Sequence, residues 1–282
     1  MKNRTIAWSQ LSAVLLLALL PLGTELLPGR LAQVGAAAWL CPLLAGVGVV
    51  ALGLLVSRRC PPGRRDWGQR VTRRWGRRTA RVLAGVFLLW GLFLAAAHAE
   101  RIGSRLSDSL RAAPVLLTAA VLLLAGWMAA GGLPAFARAC EVFLLAAGAV
   151  LLVLGQLGSA LAAQVDRPFL QMVSGLGFEG AFQRLEELVS ALWVLGDVAL
   201  LGLLLLCLGR LLAWLLDRPV GKGKSWLLTG AAFLLGLPAA LGDHPLAGTW
   251  VPFGNLAVVG LLVLTLLGTG EEKKLEKSEK RG

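Results

Sequence analysis

The residues able to do chemistry in this chain are the few ionisable groups set within apolar surroundings. Asp197 stands in Trp193-Val194-Leu195-Gly196-Asp197-Val198, near the middle of an apolar run. An acid at the centre of a membrane-crossing helix costs about 2.5–3.5 kcal/mol on insertion scales, so it is expected to face a partner or a wet cavity and to mark a functional site. A neutral carboxyl hydrogen-bonded to a neighbouring helix is the structural alternative, because burial favours protonation. Glu25 follows Pro21, Leu22, Gly23 and Thr24 toward the outer end of the first apolar run. Proline removes a helical hydrogen bond and glycine loosens the backbone. A helix broken there exposes amides and carbonyls, which transporters use to hold substrates and ions. Pro21, Leu22, Gly23, Thr24, Glu25 and Asp197 are therefore the ligand- or ion-binding candidates, with a simple reach of Glu25 toward Arg30 as the plainer role. Arg138 and Glu141 are three apart, the spacing of a structural ion pair on a helix.

Other chemistry finds no motif. The two histidines, His98 and His244, fall near expected outer helix ends and read as solvated interfacial residues. The patterns HExxH, GxSxG and GxxxxGK[ST] do not occur, so an enzyme is not expected. Cys41, Cys60, Cys140 and Cys207 have no CxxC spacing and lie in or beside apolar runs, the pattern of buried free thiols. No metal or cofactor is expected.

The elements that must position these residues are membrane helices. Of 282 residues, 57% are hydrophobic and only 16% charged, and the mean hydropathy is +0.73. A bilayer core about 30 Å thick takes a helix of about 20 apolar residues, and a backbone in lipid must satisfy its own amides. The unbroken run Leu203-Leu204-Leu205-Leu206 is unlike the alternation of a β-barrel strand. The expected fold is all-α and polytopic, with about eight transmembrane helices at 8–27, 32–57, 82–100, 113–131, 141–164, 188–214, 226–242 and 253–269. Residues 1–270 form a single transmembrane domain, and 271–282 a charged cytoplasmic tail. The first run lacks an A-x-A cleavage signal and reads as a retained helix.

Charge sets the orientation. The net charge is +12. With the N-terminus inside, 22 of the 28 Lys and Arg fall on the inner side, including ten Arg between Arg58 and Arg81. This is the positive-inside asymmetry, and it places both termini in the cytoplasm. The basic charge is thus assigned to topology rather than to nucleic acid. Within the Arg-rich stretch, Val71 and Trp75 share one helical face and Arg74, Arg77, Arg78 and Arg81 another. That pattern predicts a short helix lying on the anionic leaflet, membrane lipid being the expected contact.

Four stretches, in order, resemble the spore-germination permease family, the B subunits of nutrient germinant receptors in the amino acid–polyamine–organocation superfamily. They are Gln10-Leu11 with Leu22-Gly23-Thr24 and Leu27-Pro28-Gly29; Ala38-Trp39-Leu40 with Pro62-Gly63 and Trp75-Gly76-Arg77; Gly132-Leu133 through Ala137-Arg138-Ala139 to Glu141; and Arg184-Leu185-Glu186 with Leu192-Trp193-Val194-Leu195. The resemblance implies a LeuT-like bundle of ten helices in two inverted repeats. Here the fourth stretch, which opens the family's eighth helix, opens the sixth, so the expected fold is a truncated bundle lacking two helices. In a LeuT-like arrangement the first helix lies near the family's eighth, which would bring Glu25 toward Asp197. The resemblance implies a membrane subunit that senses or permeates a small nutrient such as an amino acid, acts with A- and C-type receptor subunits, and resides in the cell membrane, specifically the spore inner membrane. An independent amino acid or cation transporter and a non-transporting scaffold are the other two readings.

Overall fold

A computed structural model describes residues 7–21, 40–59, 67–155, 183–217, 221–241 and 250–268. Among them every regular element is an α-helix, as a chain of long apolar runs requires when lipid offers no hydrogen bonds. The helices are α1 (Trp8–Pro21), α2 (Leu40–Arg59), α3 (Trp67–Leu110), α4 (Pro114–Ala130), α5 (Leu133–Gly155), α6 (Gln183–Leu215), α7 (Lys222–Leu241) and α8 (Trp250–Gly268). The stretches Trp67–Ser107, Trp193–Leu215, Gly223–Leu241 and Val251–Gly268 are long and apolar enough to cross a membrane, and Ser9–Ala18, Gly46–Arg58 and Pro114–Ala130 are shorter apolar helical stretches. The protein is a helical membrane protein.

The centre of the bundle is α3, α4, α6 and α7, each packed against the other three. α1 and α5 dock together on the flank of α6, while α8 leans on α3 and carries α2 at its edge. One apolar core unites Leu17 of α1, Ile102 of α3, Leu122 of α4, Phe136 of α5, Leu201 and Leu205 of α6, and Leu228 of α7. The outer surface is equally oily: Leu89, Leu116, Leu123, Leu234 and Leu256 are exposed, which suits acyl chains rather than water. With apolar surface on both sides, helix association depends on close packing at small residues. A side chain at Gly91 would strike Leu208, at Gly103 the Thr118 hydroxyl, at Gly126 Thr229, and at Gly202 Phe136. These glycines are the contact points of α3 with α6, α3 with α4, α4 with α7, and α6 with α5.

Residues 67–81 depart from expectation. The sequence suggested a polar loop bearing a short helix laid on lipid. Instead α3 begins at Trp67 and breaks at Gly76 (φ 81, ψ 161), a left-handed conformation that glycine adopts at little cost. The break folds residues 67–75 across the ends of the neighbouring helices as a strap. Trp67 donates its indole N–H to Thr265 Oγ1 at 3.1 Å and stands edge-on to Phe87, with ring centroids 5.5 Å apart. Gly68 lies flat against the Trp214 indole, and Trp75 packs on Gly268. Val71, expected to meet lipid, is fully buried in protein; packing against α6 and α8 removes more apolar surface than lying on a wet interface would.

Replacing Gly103 by Val forces a side chain into Thr118 and the α4 backbone. The expected cost is about 1–3 kcal/mol, read as a lower unfolding temperature in detergent, whereas Gly46→Ala, inside α2 and with an added Cβ that meets nothing within 4 Å, does not lower that temperature.

Candidate functional site

The site is built on a seam between α3 and α6. Along α3, Arg77, Ala84, Gly91, His98 and Arg105 recur every seven residues. A seven-residue repeat keeps one stripe of a helix facing a gently crossing neighbour. The stripe is charged at its ends and small in the middle, where Ala84 is fully buried and Gly91 lets Leu208 approach. Asp197 of α6 and Asp217, just past its last residue, answer its two ends.

At one end, Arg105 donates to Oδ2 of Asp197, and the Nε2 of His98 lies 3.4 Å from Oδ1 of the same carboxylate. The side chains of Asp197, Arg105 and His98 are 4%, 14% and 16% exposed, so the charges meet largely out of water. Among the described residues, His98 Nε2 and the buried Thr118 Oγ1 make no hydrogen bond. One turn along α3, the buried Glu100 accepts a hydrogen bond from Ser104 Oγ at 3.0 Å. The cluster thus gathers one acid, a guanidinium and an imidazole at one end of the four-helix core, while Glu100, two residues from His98, lies on another face of α3. Carboxylates and cations held apart from water bind charged solutes strongly when a ligand can replace the partner each already has.

At the other end, Asp217 closes α6 in a left-handed turn, φ 50, a conformation that Asp tolerates better than most residues. There it accepts hydrogen bonds from Arg77 and from Arg81 at 2.8 Å, both partly exposed. The hydrogen bond from Arg77, and less strongly that from Arg81, holds the Asp217 carboxyl below its ordinary value of 3.8 against the opposing effect of desolvation. Asp197 and Asp217 are about 20 residues apart, about 30 Å along a helix, which is the thickness of a hydrocarbon core. The two ion-paired ends therefore bracket the apolar part of the seam.

The candidates read from sequence fare differently. Asp197 is partnered, as an acid in an apolar run requires, and it is brought together with His98 and Arg105 of α3. Pro21 is the last residue of α1. Leu22, Gly23, Thr24 and Glu25 lie outside the described residues, as do His244 and the charged tail. Glu141 accepts hydrogen bonds from Ser9 Oγ at 3.4 Å and Gln10 Nε2 at 3.3 Å, and so ties α5 to the start of α1; Arg138, one turn earlier, is exposed. His98 is the correction. Expected as a solvated interfacial residue, it is largely buried beside Asp197, because its position on the seam faces α6. Arg105, Glu100 and Ser104 drew no attention in the sequence; the signal that would have found His98 and Arg105 is their shared seven-residue spacing with Arg77 and Gly91.

Asp197→Asn and Arg105→Gln each strand the opposite charge in a nearly dry site. Each is expected to cost about 3–5 kcal/mol, measured as thermal unfolding in detergent, and the paired change Asp197→Leu with Arg105→Met is expected to restore most of the loss. The other end of the seam should respond to acid. Its folded pKa is lowered, so its contribution is complete above about pH 3.8 and disappears as pH falls through the lower folded value. Intrinsically corrected hydrogen exchange of the strap should therefore hold constant from neutral pH down to that point and accelerate below it, and Asp217→Asn should abolish the acid step. Compared with known proteins, the chain matches no family model, no curated protein and no solved structure.

Proposed function

We propose that this chain is a nutrient-sensing or nutrient-permeating membrane subunit of the germinant-receptor type, and that it takes a small amino acid at the Asp197–Arg105 cluster. The observation that carries the reading is a nearly buried carboxylate in direct contact with a guanidinium and flanked by an imidazole, in a bundle otherwise made of apolar and small residues. An amino acid carries the same two charges on adjacent atoms. Its ammonium can take the place of Arg105 at Asp197 and its carboxylate the place of Asp197 at Arg105, so the ligand exchanges into the pair without leaving a charge unpaired. His98 supplies a further polar group beside the same carboxylate. The docking of α1 along α6 supports the reading, since the resemblance implies that the first helix lies near the family's eighth, to which α6 corresponds. In this reading the protein sits in the cell membrane with both termini in the cytoplasm, in the spore inner membrane, beside A- and C-type receptor subunits.

The test is equilibrium binding of a panel of labelled amino acids to the purified full chain in nanodiscs. One amino acid or a small related set should bind saturably. Asp197→Asn should weaken it at least about tenfold, the effect of losing a charged hydrogen bond of about 1.5–3 kcal/mol. The exchange of Arg105→Asp with Asp197→Arg, which keeps the pair neutral but reverses its polarity, should bind no better than the single variant. Absence of saturable binding across the panel, or wild-type affinity in Asp197→Asn, would sink the proposal. Accumulation of solute by vesicles holding this chain alone would instead identify an independent transporter.

A further inference from the structure

We infer that Glu100 and Ser104 of α3, with Thr118 of α4, form a binding site for a sodium ion, on a different face of α3 from the Asp197 cluster. The first observation is an acid short of positive charge. Glu100 is 6% exposed and lies within the membrane-crossing stretch Trp67–Ser107. Among the described residues it accepts one side-chain hydrogen bond, from Ser104 Oγ at 3.0 Å, and no base pairs with it. The first-turn amides of α4 are another local source of positive charge, but those of Leu116 and Leu117 are engaged by the Ala113 carbonyl. An acid inside a membrane span marks a place where a partner or an ion meets it.

The second observation is a hydroxyl short of a partner. Thr118 is 1% exposed, and its Oγ1 makes no hydrogen bond among the described residues. A threonine within a helix often returns its hydroxyl to the carbonyl four residues earlier. Here that carbonyl belongs to Pro114, and the bond is not made. The hydroxyl stands instead against α3 at Gly103, where an added Cβ would lie 2.0 Å from it. Gly103 adjoins Ser104 and comes one turn after Glu100. Cβ positions three apart on a helix are about 5–6 Å from one another, so Thr118 Oγ1 is roughly that far from the root of the Glu100 side chain. A carboxylate and an ion together fill such a gap.

The third is the chemistry of the donors. Carboxylate and hydroxyl oxygens are hard ligands, which suit hard cations rather than the metals that seek thiolate or imidazole. One carboxylate balances one positive charge. Calcium takes six to eight oxygens, usually with several carboxylates, whereas sodium leaves this site neutral. Glu100 Oε1 and Ser104 Oγ, 3.0 Å apart, can share one cation once the serine proton turns away. The close approach of α4 at Gly103 favours a small ion over potassium. Ser104 and Ser107 are half-buried on the last turns of α3 and offer a polar path from the helix end at Leu110, about 15 Å away.

The test is binding of radioactive sodium to the purified full chain in nanodiscs, with choline chloride holding the ionic strength constant. Binding should saturate, and unlabelled sodium should displace the label far better than potassium. Glu100→Gln keeps the size of the side chain and can keep the bond to Ser104. It should unfold at the wild-type temperature in choline chloride yet bind sodium at least about tenfold more weakly, as the loss of a charged contact requires. Thr118→Val, of equal shape, should weaken binding about fivefold, the effect of one neutral polar contact. Sodium in place of choline should raise the unfolding temperature of the wild type and leave that of Glu100→Gln where it was. Absence of saturable sodium binding, equal displacement by potassium, or wild-type affinity in either variant would overturn the inference. No amino acid enters these measurements, so this site and the one at Asp197 stand or fall separately.

Discussion

The constraint on which this structure depends is the expense of a charge in an apolar bundle. Asp197 is 3% exposed, and an isolated carboxylate removed from water to that extent costs several kcal/mol. Arg105 of α3 relieves it, with His98 beside it on the same stripe, and in doing so fixes which face of α3 looks at α6 and at what height. Once one end is set, the seven-residue recurrence on α3 carries the contact through Gly91 to Arg77, where Asp217 completes the second ionic end. The two helices are thus held in register by charges that flank a length of small and apolar residues. Rotation of α3 by a quarter turn would bury an unpaired acid, and a slide by one turn would separate both pairs.

The rest of the bundle follows from the absence of a hydrophobic drive inside lipid. With leucines equally at ease in the core and on the surface, shape decides which faces associate. Gly103, Gly126 and Gly202 open the places where Thr118, Thr229 and Phe136 enter, and these contacts assemble α4, α5 and α7 around the α3–α6 pair. Glu141 adds a polar tie between α5 and α1 through Ser9 and Gln10. The strap closes the opposite end of the bundle from the Asp197 cluster, joining α3, α6 and α8 through Trp67, Trp214 and Gly268. A ligand entering between Arg105 and Asp197 would act on the same pair of helices whose far ends the strap clamps, which gives a physical route by which events at one end reach the other.

Much of the architecture was legible in the residues. Apolar run lengths pointed to a helical membrane chain, and among the described residues eight helices stand, four of them long and apolar enough to cross a membrane; the isolated acid at Asp197 announced a partner. What escaped notice did so for physical reasons. His98 and Arg105 sit near the end of an apolar run, where a solvated side chain and a buried one look alike until the neighbouring helix is known. The strap was visible as an amphipathic pattern in Val71, Trp75 and the arginines, but a sequence does not distinguish an apolar face that meets lipid from one that meets Trp214 and Phe87. A helix in this stretch was expected from that pattern; what was hidden was that it joins the membrane-crossing part of α3 through a break at Gly76.

The sequence by itself determined that the chain is helical and lives in a membrane, because run length, hydropathy and the self-satisfaction of backbone amides are local properties. It also determined that Asp197 needed company, since the cost of its burial is set by the surrounding leucines. The tertiary structure alone decided who provides that company. Bringing Asp197 to Arg105 and His98 joins positions more than 90 residues apart, and only the packing of α3 on α6, through glycines whose significance lies in what approaches them, brings those groups within reach.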